Sequence, residues 1–289
     1  MSRLALGTAQ FGLTYGVANR LGRPSESEVR EILALARRAG IDTLDTAIAY
    51  GDSEQRLGAV GVADWRIVSK VPAMPSGVAD PVSWLKEQVA ESLRRLHAAQ
   101  LEAVLLHSAT DAWGPAGGSI LAGLRELKDA GLVRAIGVSI YDPEHLERIW
   151  PVWVPDIVQA PCNVLDRRLL SSGWLERLVD AGVRVHTRSV FLQGLLLMDP
   201  GERPATFAPW QPLLTRWFDW CASQGHAPLS AALNFVYAQR QIERVVVGVD
   251  SAAQLGQILE AFAQPCALPP ADLSTDDREL LEPFRWTVK

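Results

Sequence analysis

Apolar positions along this chain fall into short, nearly continuous runs, separated by longer stretches in which apolar residues recur every three or four positions. Eight runs read as strands: RLALG (3–7), DTLDT (42–46), WRIVSK (65–70), LEAVLLH (101–107), VRAIGVS (133–139), DIVQA (156–160), VRVHTR (183–188) and RVVVGV (244–249). Most consist of Val, Ile, Leu and Ala with little alternation, as expected for a parallel sheet covered on both faces.

The segments between them carry helical spacing and sensible ends. SESEVREILALARRAG opens on Ser25 with Glu28 three residues later, a capping arrangement, and closes on Gly40. DPVSWLKEQVAESLRRLHAAQ aligns Val82, Leu85, Val89, Leu93 and Leu96 on one stripe. Two later segments finish in Asp-Ala-Gly, where Gly131 and Gly182 supply the positive φ common just past a helix. Strands alternating with helices eight times predict an α/β fold, a (β/α)8 TIM barrel forming a single domain over residues 1–289. Two Pro-rich stretches interrupt the pattern. MDPGERPATFAPWQP (198–212), after the seventh strand, is expected to wall or cover the active face. The tail from about Gln264 is expected to run over the surface to a last short helix.

Composition narrows the function classes. The 289 residues are 48% hydrophobic and 21% charged, with a formal net charge of −5 and both signs mixed along the chain. Nucleic-acid and anionic-membrane partners need clustered Lys and Arg, so neither is expected. Cys162, Cys221 and Cys266 are far apart and match no metal-ligand spacing, which makes them small buried hydrophobes and predicts no metal. The start lacks the apolar core of a signal peptide, and no apolar run is long enough to span a bilayer. A cytoplasmic location is the expectation; the oligomeric state is left open.

The strand ends carry the chemistry, because barrel enzymes place their sites at the C-terminal ends of the strands. Asp45 closes the second strand, Lys70 the third, His107 the fourth and Ser139 the fifth; Gln159 lies near the end of the sixth, and Tyr50 stands in the loop beyond Asp45. Singly, each has an ordinary explanation as a cap, a core histidine or a solvated end group. Together, Asp45, Lys70 and His107 stand at one height on three successive strands about 4.8 Å apart, with Tyr50 beside them, and must meet in the barrel mouth. A free phenol is a poor acid at neutral pH, and a neighbouring ammonium is expected to lower its pKa. A carboxylate beside that ammonium keeps it charged in a dry pocket, and a neutral imidazole can aim a substrate oxygen. The set lacks a nucleophile paired with a base, so it calls for an external hydride donor. Schiff-base chemistry at Lys70 is disfavoured, because Asp45 raises the amine's pKa.

At these residues the chain resembles the aldo-keto reductase family, over essentially its whole length. The family motif Asp-Thr-Ala-x-x-Tyr-Gly appears as DTAIAYG (45–51), the strand-three lysine in IVSK as Lys70 and the strand-four histidine in VLLH as His107. The resemblance implies an NAD(P)(H)-dependent oxidoreductase interconverting an aldehyde, ketone or sugar carbonyl and an alcohol, with Tyr50 as general acid/base. It implies that Lys70 and Asp45 tune the phenol and that His107 orients the oxygen. Ser139 and Gln159 would hold the nicotinamide carboxamide, although the family's Asn after the serine is Ile140 here. RSVFLQGLL would cover the pyrophosphate through Ser189, Phe191 and Gly194, and the family's frequent stacking Tyr has no aromatic counterpart near Arg188. Gly248, Asp250, Ser251, Gln254 and Gln257 would meet the adenosine end, with Asp250 either on a ribose hydroxyl or capping the next helix. Thr8 would touch the nicotinamide side. The family default makes NADP(H) the expected cofactor ahead of NAD(H). Trp113 and Trp210 are candidate walls of a pocket for a small-molecule carbonyl or alcohol, and Trp286 is a third aromatic surface. The rival reading is a nicotinamide-nucleotide-binding sensor or regulatory protein on the same barrel, suggested by the missing Asn at 140.

Overall fold

A computed structural model describes residues 2–262 and 266–286. Residues 1 and 287–289, the ends of the expected domain span, lie outside the described residues, as does Gln264, where the sequence predicts the tail to begin. Eight parallel strands close into a barrel in chain order: β1 (Leu4–Gly7), β2 (Thr43–Asp45), β3 (Arg66–Val71), β4 (Ala103–Leu106), β5 (Ile136–Ser139), β6 (Ile157–Pro161), β7 (Arg184–Arg188) and β8 (Arg244–Gly248). β1 closes the ring, pairing with β2 on one side and with β8 on the other. All eight expected strands are present, within a few residues of their expected ends. The fold is a single-domain (β/α)8 barrel.

The helices form for the reasons legible in the sequence. Ser25 caps Glu26–Arg38 by accepting the Glu28 N–H, and that helix buries Val29, Ile32, Leu33 and Ala36 against the barrel. Pro81–Leu96 opens on Asp80, which accepts from Val82 and Ser83, and buries Leu85, Val89, Leu93 and Leu96. Gly131 and Gly182 follow their helices with φ of 73° and 76°.

Two cores result. A large one fills the space between strands and helices, while Val68, Ala103, Leu105, Ala135 and Ile157 form a small separate cluster. Side chains alternate faces along a strand. Lys70, His107 and Gln159 therefore follow Val68, Leu105 and Ile157 on the same face, two residues nearer the mouth. Ser139 is level with Gln159, and Asp45 is level with Gly7 and Val68. Period two thus puts Lys70, His107 and Gln159 on the inner face of their strands, one inward position beyond the apolar plug.

The 198–212 stretch forms short 3-10 turns, Pro200–Glu202 and Ala205–Trp210, and the tail includes the expected short helix, Arg278–Leu281. Among the described residues no helix is long and apolar enough to cross a membrane.

Candidate active site

The layer at the mouth is organised around a buried ion pair. The Lys70 ammonium donates to Asp45 Oδ1 at 2.6 Å and to the Thr46 carbonyl at 2.8 Å, and both side chains are out of solvent. The second oxygen of Asp45 accepts from Gln159 Nε2 at 2.6 Å, across the barrel. The Tyr50 ring lies 5.1 Å from Lys70 Nζ and meets the His107 ring edge-on at 5.8 Å. The structure thus brings together all four residues singled out in the sequence.

Tyr50 is held by backbone packing. A Cβ on Gly12 would lie 1.8 Å from the Tyr50 carbonyl oxygen, and Gly51 turns with φ of +56° against the Gly12 carbonyl. The Gly in DTAIAYG therefore serves a turn locked against the β1 loop. Ser53 follows, donating to the Thr8 carbonyl at 2.9 Å.

The electrostatics differ from the sequence expectation in one respect. Burial is the main cause raising the Tyr50 pKa, Asp45 adds to it, and Arg188 acts in the lowering direction. The expected lowering by Lys70 is not realised, because its ammonium is turned onto Asp45 and Thr46. Burial lowers the Lys70 pKa, with Asp45 opposing. His107 is pushed down to about 3 by burial, then by Lys70 and Arg188, so its imidazole is neutral across the physiological range.

A cavity of about 380 Å³ opens beside this layer. Its wall includes Thr8, Asp45, Tyr50, Ser189, Phe191, Gly194, Gly248, Asp250, Gln254 and Gln257. Lys70, His107, Ser139 and Gln159 do not line it. Two observations fit a nicotinamide cofactor. The Gln159 Oε1 is buried without a hydrogen-bond partner, an open acceptor for an amide N–H. The cavity also has a size and polar–apolar mix suited to holding part of a dinucleotide.

Several expected residues stand elsewhere. Ser251 is not in the cavity wall: it caps Ala252–Ala261 by accepting the Gln254 N–H. The pattern Ser-x-x-Gln was a readable sign of this cap. Asp250 is neither the cap nor free, since its Oδ1 accepts from Asn19 at 2.9 Å. Trp113 and Trp210 lie outside the cavity. Trp113 packs against His145 at 5.7 Å, and the Trp210 indole donates to Asp277 at 2.7 Å. Trp286 packs edge-on to Phe207 and donates to the Leu280 carbonyl. Ile140 is fully buried in the large core and offers the mouth only its carbonyl, which accepts from Arg188.

Sequence reasoning did not assign a cluster from the loop after β1. Tyr15, Gly16, Ala18, Asn19 and Arg20 line the cavity. Tyr15 accepts from Gln193 at 3.2 Å, Asn19 holds Asp250, and Arg20 pairs with Glu202 at 3.1 Å. The segment thus straps over the cavity from the β7 side to the β8 side. The stretch YGVANR carries no strong pattern, and the partners of Tyr15 and Asn19 across the cavity are more than 170 residues away. Among the described residues no group of three or more His, Cys, Asp or Glu side chains is placed to hold a metal ion.

A closed parallel barrel with a lysine–carboxylate pair, a phenol and an imidazole at its strand ends defines a barrel enzyme built for acid–base work on a bound small molecule. Residues 3–275 match the model of the aldo/keto reductase family, and the chain belongs to that family. It is an oxidoreductase of carbonyl and alcohol groups, in a family that uses nicotinamide cofactors and small carbonyl substrates. The NADH-specific methylglyoxal reductase of Escherichia coli (strain K12) is 26% identical, over 98% of this chain and 96% of that protein. The L-galactose dehydrogenase of Arabidopsis thaliana is 26% identical, over 91% and 85%. The solved holo form of an aldo-keto reductase from Bacillus halodurans has the same fold, with a TM-score of 0.73 and 23% identity over 94% of this chain and 89% of that one.

Proposed function

We propose that the protein reduces a small aldehyde or ketone, or oxidises the matching alcohol, with Tyr50 as the proton donor or acceptor at the substrate oxygen. The observation that carries this reading is the convergence of Tyr50 and His107 on the buried Lys70–Asp45 pair at the edge of one cavity. A bound nicotinamide supplies or accepts the hydride at the substrate carbon. Every other task falls to the chain. His107, neutral and therefore able to donate a hydrogen bond, orients the substrate oxygen toward Tyr50. In reduction the Tyr50 O–H passes its proton to that oxygen, and the phenolate is reprotonated from solvent. The Lys70–Asp45 pair fixes the floor beneath the phenol, and Gln159 holds the second Asp45 oxygen from across the barrel.

The raised pKa keeps Tyr50 protonated at neutral pH, the form needed for reduction. Alcohol oxidation needs the phenolate, so its rate rises with pH while reduction stays level through pH 6–8. For the cofactor, the wall supports NAD(H) over the family default of NADP(H). Asp199, Glu202 and Asp250 line the cavity, and Arg20 is tied to Glu202. Such carboxylates suit a ribose hydroxyl and repel a 2′-phosphate. The relative named NADH-specific points the same way.

The test uses reduced-nicotinamide fluorescence to read cofactor binding and a panel of aldehydes, ketones and sugars to read turnover with each cofactor. Tyr50→Phe is expected to lower turnover roughly 10²- to 10⁴-fold while sparing binding. Full turnover in that variant removes Tyr50 from the role. The binding-only reading, favoured by Ile140, predicts tight binding and no turnover by the unaltered protein.

A further inference from the structure

One cation at the mouth has no role in the chemistry above. Arg188 ends β7 and lines the cavity with Asp45 and Tyr50. Its guanidinium stacks 4.2 Å over the Tyr141 ring, which in turn meets Phe284 edge-on at 4.8 Å. It donates once from Nη1 to Ser189 Oγ at 3.2 Å and once from Nη2 to the Ile140 carbonyl at 3.1 Å. A guanidinium carries five N–H groups, so three remain without a partner among the described residues. No carboxylate pairs with it among those residues, whereas nearby Arg168 is gripped by Asp166 and Asp142.

Beside the reacting phenol, Lys70 and Asp45 pair with each other and His107 is neutral, so Arg188 is the cation there that has no ion-pair partner among the described residues; the carboxylates Asp199, Glu202 and Asp250 also line the cavity. Its field is felt at Tyr50, Lys70 and His107. Direction matters as well. Arg188 neighbours β8, where the helix following Asp250 begins, yet its bond to the Ile140 carbonyl leans the guanidinium across β6 toward the end of β5. That side holds His107 on the next strand, away from the Asp250–Gln254 end of the cavity.

We propose that Arg188 anchors an anionic group on the substrate, so that the preferred carbonyl compounds carry a carboxylate or phosphate a few bonds from the reacting carbon. This rests on the reductase reading above and narrows its substrate class. The planar fork, pinned by the Tyr141 ring and two hydrogen bonds, presents its remaining N–H groups to an oxyanion with little ordering left to do.

Matched pairs test it: succinic semialdehyde against butanal for the carboxylate, and glyceraldehyde 3-phosphate against glyceraldehyde for the phosphate. The intact protein is expected to favour the anionic member of at least one pair roughly ten- to hundredfold in kcat/KM, mostly through KM. Arg188→Met should collapse that ratio to about threefold or less, and Arg188→Lys should restore part of it. Calorimetry with 4-hydroxybutyrate against 1-butanol, on protein saturated with oxidised cofactor, reads the same preference without turnover. Equal use of charged and neutral members by the intact protein overturns the proposal. So does an Arg188→Met variant whose cofactor affinity falls while its anionic-to-neutral ratio is kept, which assigns the arginine to the cofactor. Absence of turnover on every compound, with 4-hydroxybutyrate still bound through Arg188, removes the reductase reading and leaves the anchor standing.

Discussion

The two ends of the barrel hold buried charge in different ways. At the floor, Arg66, Arg184 and Arg244 face Asp42, Glu102 and Glu243. Arg184 meets Glu102 at 2.7 Å, Arg244 meets Asp42 at 3.5 Å and Arg66 meets Asp42 at 3.8 Å. Glu243 lies 3.9 Å from Arg184 and 4.0 Å from Arg244, so three cations face three carboxylates, although Glu243 Oε2 has no hydrogen-bond partner. At the mouth, one pair is satisfied internally and a phenol, an amide oxygen and a guanidinium retain open hydrogen-bonding capacity. The same strands build both ends. The floor balances its charges among its own side chains, while the mouth leaves a phenol and a guanidinium in the wall of a cavity.

Four experiments break or sharpen that contrast, from the largest effect down. Lys70→Met leaves Asp45 buried and unpaired, and unfolding measurements should show a loss of about 3–5 kcal/mol together with loss of turnover. Adding Asp45→Asn should recover part of the stability and none of the turnover, since the charge is removed but the floor beneath Tyr50 is not rebuilt.

Acid comes next. His186 lies on the inner face of β7, with both ring nitrogens unpartnered and its pKa pushed down to about 3 by burial, then by Arg184, Arg244 and Lys70; Glu243 Oε2 is 3.9 Å away. The unfolded chain binds this proton near pH 6.5 and the folded chain only near 3, so stability falls as pH drops through that window. His107 behaves likewise. His186→Gln should remove a few kcal/mol of the loss between pH 6.5 and 3, read by denaturant melts across that range.

Gly12→Ala drives a methyl into the Tyr50 carbonyl and should cost about 1–3 kcal/mol. Turnover should fall with it, because the phenol moves with its backbone. Glu102→Gln, at the partly exposed Arg184–Glu102 pair, should change stability by about 1 kcal/mol and leave turnover alone. A large activity loss there would mean that the floor is not merely structural.

Much of this was legible in the sequence because the signals are local. Strands buried on both faces give nearly unbroken apolar runs in most cases, and the even alternation with helices supplied the less apolar ones, such as DTLDT. The residues at the strand ends inherit their place from the barrel, so Asp45, Lys70 and His107, with Tyr50 beside them, could be brought to one mouth before any coordinates. What could not be read depends on distant partners. Whether Lys70 turns toward the phenol or toward Asp45 is a question of rotamer and burial. A tryptophan in a Pro-rich loop has the same sequence whether it faces a cavity, as expected of Trp210, or binds Asp277 in the tail. Arg188 was visible only as a missing aromatic. Asp166, a carboxylate within its field, is committed to Arg168, which leaves the Arg188 guanidinium without an ion pair among the described residues.

The pairing of β1 with β8 also has a consequence for biogenesis. Leu4 registers with Val245, and Arg3 donates to the carbonyls of Tyr237, Gln239 and Ile242. The ring is therefore sealed by the most sequence-distant partners it contains, and such long-range closure is slow. A ribosome must release the chain through Gly248 before the last strand can dock, so nascent fragments lacking it carry an unsealed edge and an unfinished chamber.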